Sequence, residues 1–99
     1  MKNIYSVIWS EEAAENLSKI LLYLEENWTE KEIRKFASKL EKLISIIESQ
    51  PDSFPKAAKV DVRKAVLTRQ VTLYYNVRID VIRIITLFDS RQNPEKLKL

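Results

Sequence analysis

A chain of 99 residues that is 45% apolar and 31% charged is long enough for one domain around one core, although it buries a smaller share of its surface than a larger domain would. It contains no cysteine and no histidine, which excludes disulfides, thiolate nucleophiles and the usual zinc and iron ligand sets, and leaves any chemistry to cations, phenols and carboxylates. The net charge of +3 is unevenly placed: residues 1–50 hold seven Lys/Arg against nine Asp/Glu, and residues 51–99 hold ten against five, so the C-terminal half is the one suited to a polyanion or an acidic partner.

Ile4, Tyr5, Val7, Ile8 and Trp9 form a short β-rich run, followed by Ser10 as a helix N-cap and by Glu11 and Glu12 in the positive first turn. Ala14, Leu17, Leu21, Leu24 and Trp28 then recur at three- and four-residue steps, which predicts an amphipathic helix over 11–26. Asn27 is suited to a left-handed C-terminal cap. Thr29 and Glu32 have capping-box spacing, and Ile33, Phe36, Ala37, Leu40, Ile44 and Ile47 carry a second helix as far as Gln50, where Pro51 stops it. A link this short makes the two helices an antiparallel hairpin. Lys31, Lys35, Lys39 and Lys42 on the second helix, interspersed with Glu30, Glu32 and Glu41, read as a solvated face.

Residues 51–61 have no period and two prolines, and predict a long loop with Phe54 as an anchor. Three strands follow, over 62–67, 71–78 and 81–88, with gaps short enough for a meander of antiparallel hairpins. Glycine is absent from the whole chain, so the second turn is expected to centre on Asp80, which tolerates positive φ more cheaply than its neighbours. Alternation puts Val71, Leu73, Tyr75 and Val77 toward the helices and Thr72, Tyr74, Asn76 and Arg78 away from them. In the last strand Ile82, Ile84 and Phe88 share one face, and Val81, Arg83, Ile85 and Leu87 the other; both are mostly apolar, as in a central strand. Asp89 and Arg91 are placed to form an ion pair capping that strand. The expected fold is α+β, in the order β-α-α-β-β-β, with the helical hairpin on a small, mainly antiparallel sheet.

The first eight residues are too short an apolar run for a secretion signal, and no stretch approaches the ~20 apolar residues of a membrane span. The expectation is a single soluble cytoplasmic domain over residues 1–99, without membrane contact, metal or cofactor.

Several motifs in this order resemble the RelE/ParE superfamily of toxins from bacterial type II toxin–antitoxin modules, including members labelled plasmid-stabilisation proteins. They are Tyr5-Ser6-Val7-Ile8-Trp9-Ser10-Glu11-Glu12-Ala13, then Ser53-Phe54-Pro55, Val62-Arg63-Lys64, Leu73-Tyr74-Tyr75-Asn76-Val77, and Phe88-Asp89-Ser90-Arg91-Gln92-Asn93-Pro94. The resemblance implies a toxin neutralised by an antitoxin protein whose C-terminal segment wraps it. It also implies one of two activities: mRNA cleavage in the ribosomal A site, as by RelE-like members, or inhibition of DNA gyrase without RNA cutting, as by ParE-like members. A member that keeps only antitoxin binding is the third reading, and pairing of two toxins is left open.

RNA cleavage needs the ribose 2′-hydroxyl deprotonated, the phosphorane charge stabilised and the departing 5′-oxygen protonated. By the resemblance, Arg63 and Arg91 occupy the basic positions of the RelE-like nucleases and are the candidate catalytic residues. Lys64, Arg69, Tyr74 and Arg83 are candidate nucleic-acid contacts. The sequence departs from the nuclease pattern after Arg91, where Gln92 to Leu99 offer no phenol and no imidazole. The nuclease reading requires the fold to carry Arg63 and Arg91 into one electropositive hollow.

Overall fold

A computed structural model describes residues 5–57 and 61–91. Ile4, Ala58 to Val60, and the tail from Gln92 onward, including Asn93 and Pro94, lie outside the described residues. Strand β1 (Ser6–Trp9) leads into helix α1 (Glu11–Asn27), helix α2 (Glu30–Ser49) and a single 3-10 turn (Pro51–Ser53). Strands β2 (Arg63–Val66), β3 (Val71–Arg78) and β4 (Val81–Asp89) complete the order. The sheet order is β1-β4-β3-β2, parallel between β1 and β4 and antiparallel elsewhere. The architecture is therefore α+β, β-α-α-β-β-β, with β4 inside the sheet.

Both helices begin on the caps that the sequence predicts. The Ser10 hydroxyl accepts from the Ala13 amide at 3.0 Å, and the Glu32 amide is shared between the Thr29 carbonyl at 3.0 Å and the Thr29 hydroxyl at 3.3 Å, as at helix N-termini whose first amides lack a partner one turn back. Asn27 differs from expectation. The helix runs through it, and the chain leaves through an extended Trp28 at φ −132°. The Asn27 side chain instead donates back to the Tyr23 carbonyl at 2.9 Å, so no left-handed residue is needed.

The core lies between the hairpin and one face of the sheet. Ala13, Ile20, Phe36, Leu40, Leu43 and Ile47 of the helices meet Leu73, Tyr75, Ile82, Ile84 and Leu87 of the strands. The expected loop is partly structured: after the 3-10 turn, Lys64 donates to the Pro55 carbonyl and Ala57 to that of Val62, so the segment folds back beside β2. Phe54 packs against the core and meets Tyr75 edge to face, with ring centroids 6.1 Å apart.

Strict alternation fails in β4. Tyr74 pairs with Thr86 and Tyr75 with Ile84, leaving Ile85 unpaired in a β-bulge. One extra residue inverts the side-chain phase. Leu87, expected on the outer face, therefore enters the main core, while Phe88 joins Ile85 against a second, smaller cluster of Ala57, Val62 and Tyr74. The groups released by the bulge are satisfied by the first helix and its cap: the Ser10 hydroxyl donates to the Ile85 carbonyl at 2.7 Å, and Asn16 Oδ1 accepts from the Leu87 amide and from the Thr86 hydroxyl.

The β3–β4 connection also departs from expectation. Arg78 pairs with Val81, so Ile79 and Asp80 are the two central residues, and the positive φ, 56°, falls on Ile79 and not on Asp80.

Candidate functional site: two separated arginines and a cationic groove

Arg63 opens β2 directly opposite Tyr75, and Tyr75 belongs to the core between sheet and helices, so Arg63 shares the helix-facing side. Its Nη1 donates to the Phe54 carbonyl at 2.5 Å, and its Nη2 lies 3.8 Å from Asp52. The carbonyl bond is the stronger tie, since Asp52 is largely exposed and an ion pair in that setting contributes little. The Tyr75 hydroxyl donates to the Pro51 carbonyl at 2.6 Å. Burial pushes this phenol up to about 12, with the Arg63 charge partly opposing it. Arg63, Tyr75 and Phe54 together fasten the 3-10 turn to the sheet.

Arg91 is held differently. Its backbone amide and Nε both donate to Asp89 Oδ1 at 2.9 Å, and Nη2 bonds Asp89 Oδ2. These bonds from the guanidinium hold the Asp89 carboxyl below the usual range, against the opposing effect of burial. The expected Asp89–Arg91 pair is thus present. On its other face the guanidinium stacks 4.7 Å above the ring of Tyr23, a cation–π contact between residues 68 apart in sequence that nothing local announces.

The two arginines are not brought together. Arg63 lies level with Tyr75, whereas Asp89 pairs with Val71 at the other end of β3 and two strands across. The backbones of Arg63 and Asp89, two residues before Arg91, are roughly 16 Å apart by standard strand spacings, with the core residues Ala65 and Leu73 between, so the expected common hollow does not form among the described residues. The remaining expected contacts do not surround either arginine: Lys64 and Arg83 share the outer face of the sheet, opposite the side that carries Arg63. Lys64 is exposed on the edge strand, Arg69 is exposed in the β2–β3 turn, and Arg83 is exposed on β4. Tyr74 does lie on the outer face, but it is buried there in a cluster with Ala57 and Val62.

A hollow does lie elsewhere, at the closed end of the helical hairpin where α1 hands over to α2. A cavity of about 220 Å³ has Ile20, Leu24, Phe36 and Val71 on its apolar side, Tyr23 and Trp28 as aromatic flanks, and Lys35, Lys39 and Arg91 with Glu32 as charged groups. Lys35 and Lys39, expected on a merely solvated face, therefore border a groove. Its cations outnumber its carboxylates and Trp28 is half exposed, a combination suited to an acidic segment carrying an apolar anchor. Among the described residues no cluster of three or more metal-ligating side chains comes together, and no helix is long and apolar enough to cross a membrane.

The sequence family described as ParE toxin of type II toxin–antitoxin system, parDE, matches residues 7–94. The chain belongs to this family. No curated protein matches it. Among solved structures it is similar to the chromosomal ParDE toxin–antitoxin system from P. aeruginosa, with a TM-score of 0.73 and 16% identity over 89% of this chain and 98% of that one. It is also similar to the YoeB dimer from Staphylococcus aureus, with a TM-score of 0.60 and 17% identity over 86% and 95%. The E. coli DinJ–YafQ toxin–antitoxin complex has a TM-score of 0.60 and 11% identity over 89% and 94%. At these identities the likenesses establish the shared toxin fold.

Proposed function

We propose that this toxin arrests growth by binding a protein target, DNA gyrase, rather than by cutting mRNA on the ribosome. We propose further that its cognate antitoxin neutralises it by laying an acidic, partly apolar segment into the groove at the hairpin end. The observation that carries the first reading is the separation of Arg63 and Arg91. In-line cleavage needs a base, an acid and cations converging on one phosphate. Here one arginine is tied to the Phe54 carbonyl and the other to Asp89. Of the four described phenols, Tyr75 is buried and raised to about 12 by that burial, Tyr74 is buried in the outer cluster, Tyr23 lies under Arg91, and Tyr5 packs against the main core. Binding a protein target requires no such convergence. The family match to ParE toxins supports the same reading. A disordered acidic segment that folds on contact suits the groove, because the lysines and Arg91 attract it while Trp28 and Tyr23 give its apolar side chains a seat.

The test is to add purified toxin to an extract of translating ribosomes and map the 5′ ends of the mRNA. The expected result is no break at codon boundaries. Breaks that disappear with Arg63→Ala or Arg91→Ala overturn the reading.

A further inference from the structure

The β3–β4 turn carries a residue whose conformation is costly and whose side chain gets no intramolecular return. Ile79 sits at φ 56° and is 96% exposed. Positive φ is unfavourable for any residue with a Cβ and most so for a β-branched one, and glycine is the usual occupant of such a turn position. A strained residue persists where surrounding structure holds it, and such residues cluster at contact sites. The turn is held against β1, where the Asp80 carbonyl accepts from the Ser6 amide at 2.8 Å; the Arg78–Asp61 pair beside it, 3.6 Å apart, is exposed and adds little. Ile79 is therefore a pre-ordered apolar knob on a braced hairpin. It lies at the end of β4 opposite Asp89, which about 26 Å of strand separates from it.

We infer that Ile79 is an anchor through which this toxin engages its target, inserting into a preformed apolar pocket on a folded protein. A single convex side chain on a rigid turn complements a concave, ordered surface; a segment that folds only on contact offers no such pocket beforehand, and a lone isoleucine is too little apolar area to hold a membrane surface. The inference rests on the protein-target reading above and names the surface that carries it.

The test compares wild type with Ile79→Gly, Ile79→Asn and Ile79→Met, each expressed without antitoxin. Glycine relieves the backbone cost, so Ile79→Gly is expected to melt a few degrees higher, as about 1 kcal/mol of relief moves a domain of this size by roughly 4–8 °C. It should still bind its cognate antitoxin, yet the toxin level needed to arrest growth should rise about tenfold or more, as for loss of a buried anchor. Ile79→Asn is expected to behave likewise, and Ile79→Met, apolar and unbranched, to keep its toxicity. Undiminished growth arrest by Ile79→Gly and Ile79→Asn overturns the inference, as does loss of antitoxin binding with toxicity retained. Supercoiling by purified gyrase, run with the same proteins, tests the target separately. If wild type leaves gyrase untouched while the growth-arrest pattern holds, the gyrase assignment fails and the anchor stands.

Discussion

Arg63 and Arg91 show how one residue type takes different work from its position. Arg63 lies beside a turn whose Phe54 carbonyl has no strand partner, and its guanidinium fills that need. Arg91 follows a buried carboxylate, Asp89, and neutralises it. The Asp89–Arg91 pair was legible because it is local. The Arg63 tie was not, since it depends on the 3-10 turn folding back beside β2, a feature without periodic signal. Tyr75 gives the clearest prediction at this scale. Its folded value of about 12 lies above the ordinary value of 10, so above pH 10 the unfolded chain releases a proton that the folded chain keeps. The stabilisation is present below pH 10 and is lost as pH rises through about 12. Urea unfolding of wild type should show this extra loss of stability between pH 10 and 12. Tyr75→Phe should lack it, while costing about 1 kcal/mol at neutral pH through the orphaned Pro51 carbonyl.

At the scale of elements, both helices were readable from spacing and caps, as were the three meander strands, because these signals are local and periodic. The faces of β4 were not, because alternation assumes an uninterrupted ladder and the bulge at Ile85 breaks it. Nothing in Val81 to Phe88 marks the site of the break. Its support lies 75 residues away in Ser10, which both caps α1 and binds the Ile85 carbonyl. Ser10→Ala therefore removes two interactions, and chemical denaturation should show about 1–2 kcal/mol of lost stability. A cost near zero would mean that water replaces the hydroxyl at both places. The Ile79 turn departs from expectation for a related reason: propensity favours Asp80 for positive φ, but the paired register of Arg78 and Val81 decides which residue takes it.

Over the whole molecule, the uneven charge was visible in the sequence, but its use was not. Among the described residues the cations fall into separate groups. Lys35 and Lys39 from the nominally acidic half join Arg91 at the hairpin groove, while Lys64 and Arg83 share the outer face of the sheet and Arg69 lies in a turn. If the groove seats an acidic antitoxin segment, the double variant Lys35→Glu/Lys39→Glu should weaken the complex by about tenfold or more. Titration calorimetry should also show a flatter dependence on salt, since exposed charges act through screened attraction. Equal affinity would place the antitoxin elsewhere.

The fold-level likeness spans complexes of differently named toxins, so activity rests on the arrangement of side chains and not on topology. That arrangement is two arginines each tied to its own partner, a groove at one end and a braced apolar turn at the other. The most direct measurement is DNA supercoiling by purified gyrase titrated with purified toxin, with no ribosome present. The account predicts that supercoiling falls progressively to a stop as toxin is added and that antitoxin restores it; supercoiling unaffected at a large excess of folded toxin would contradict it.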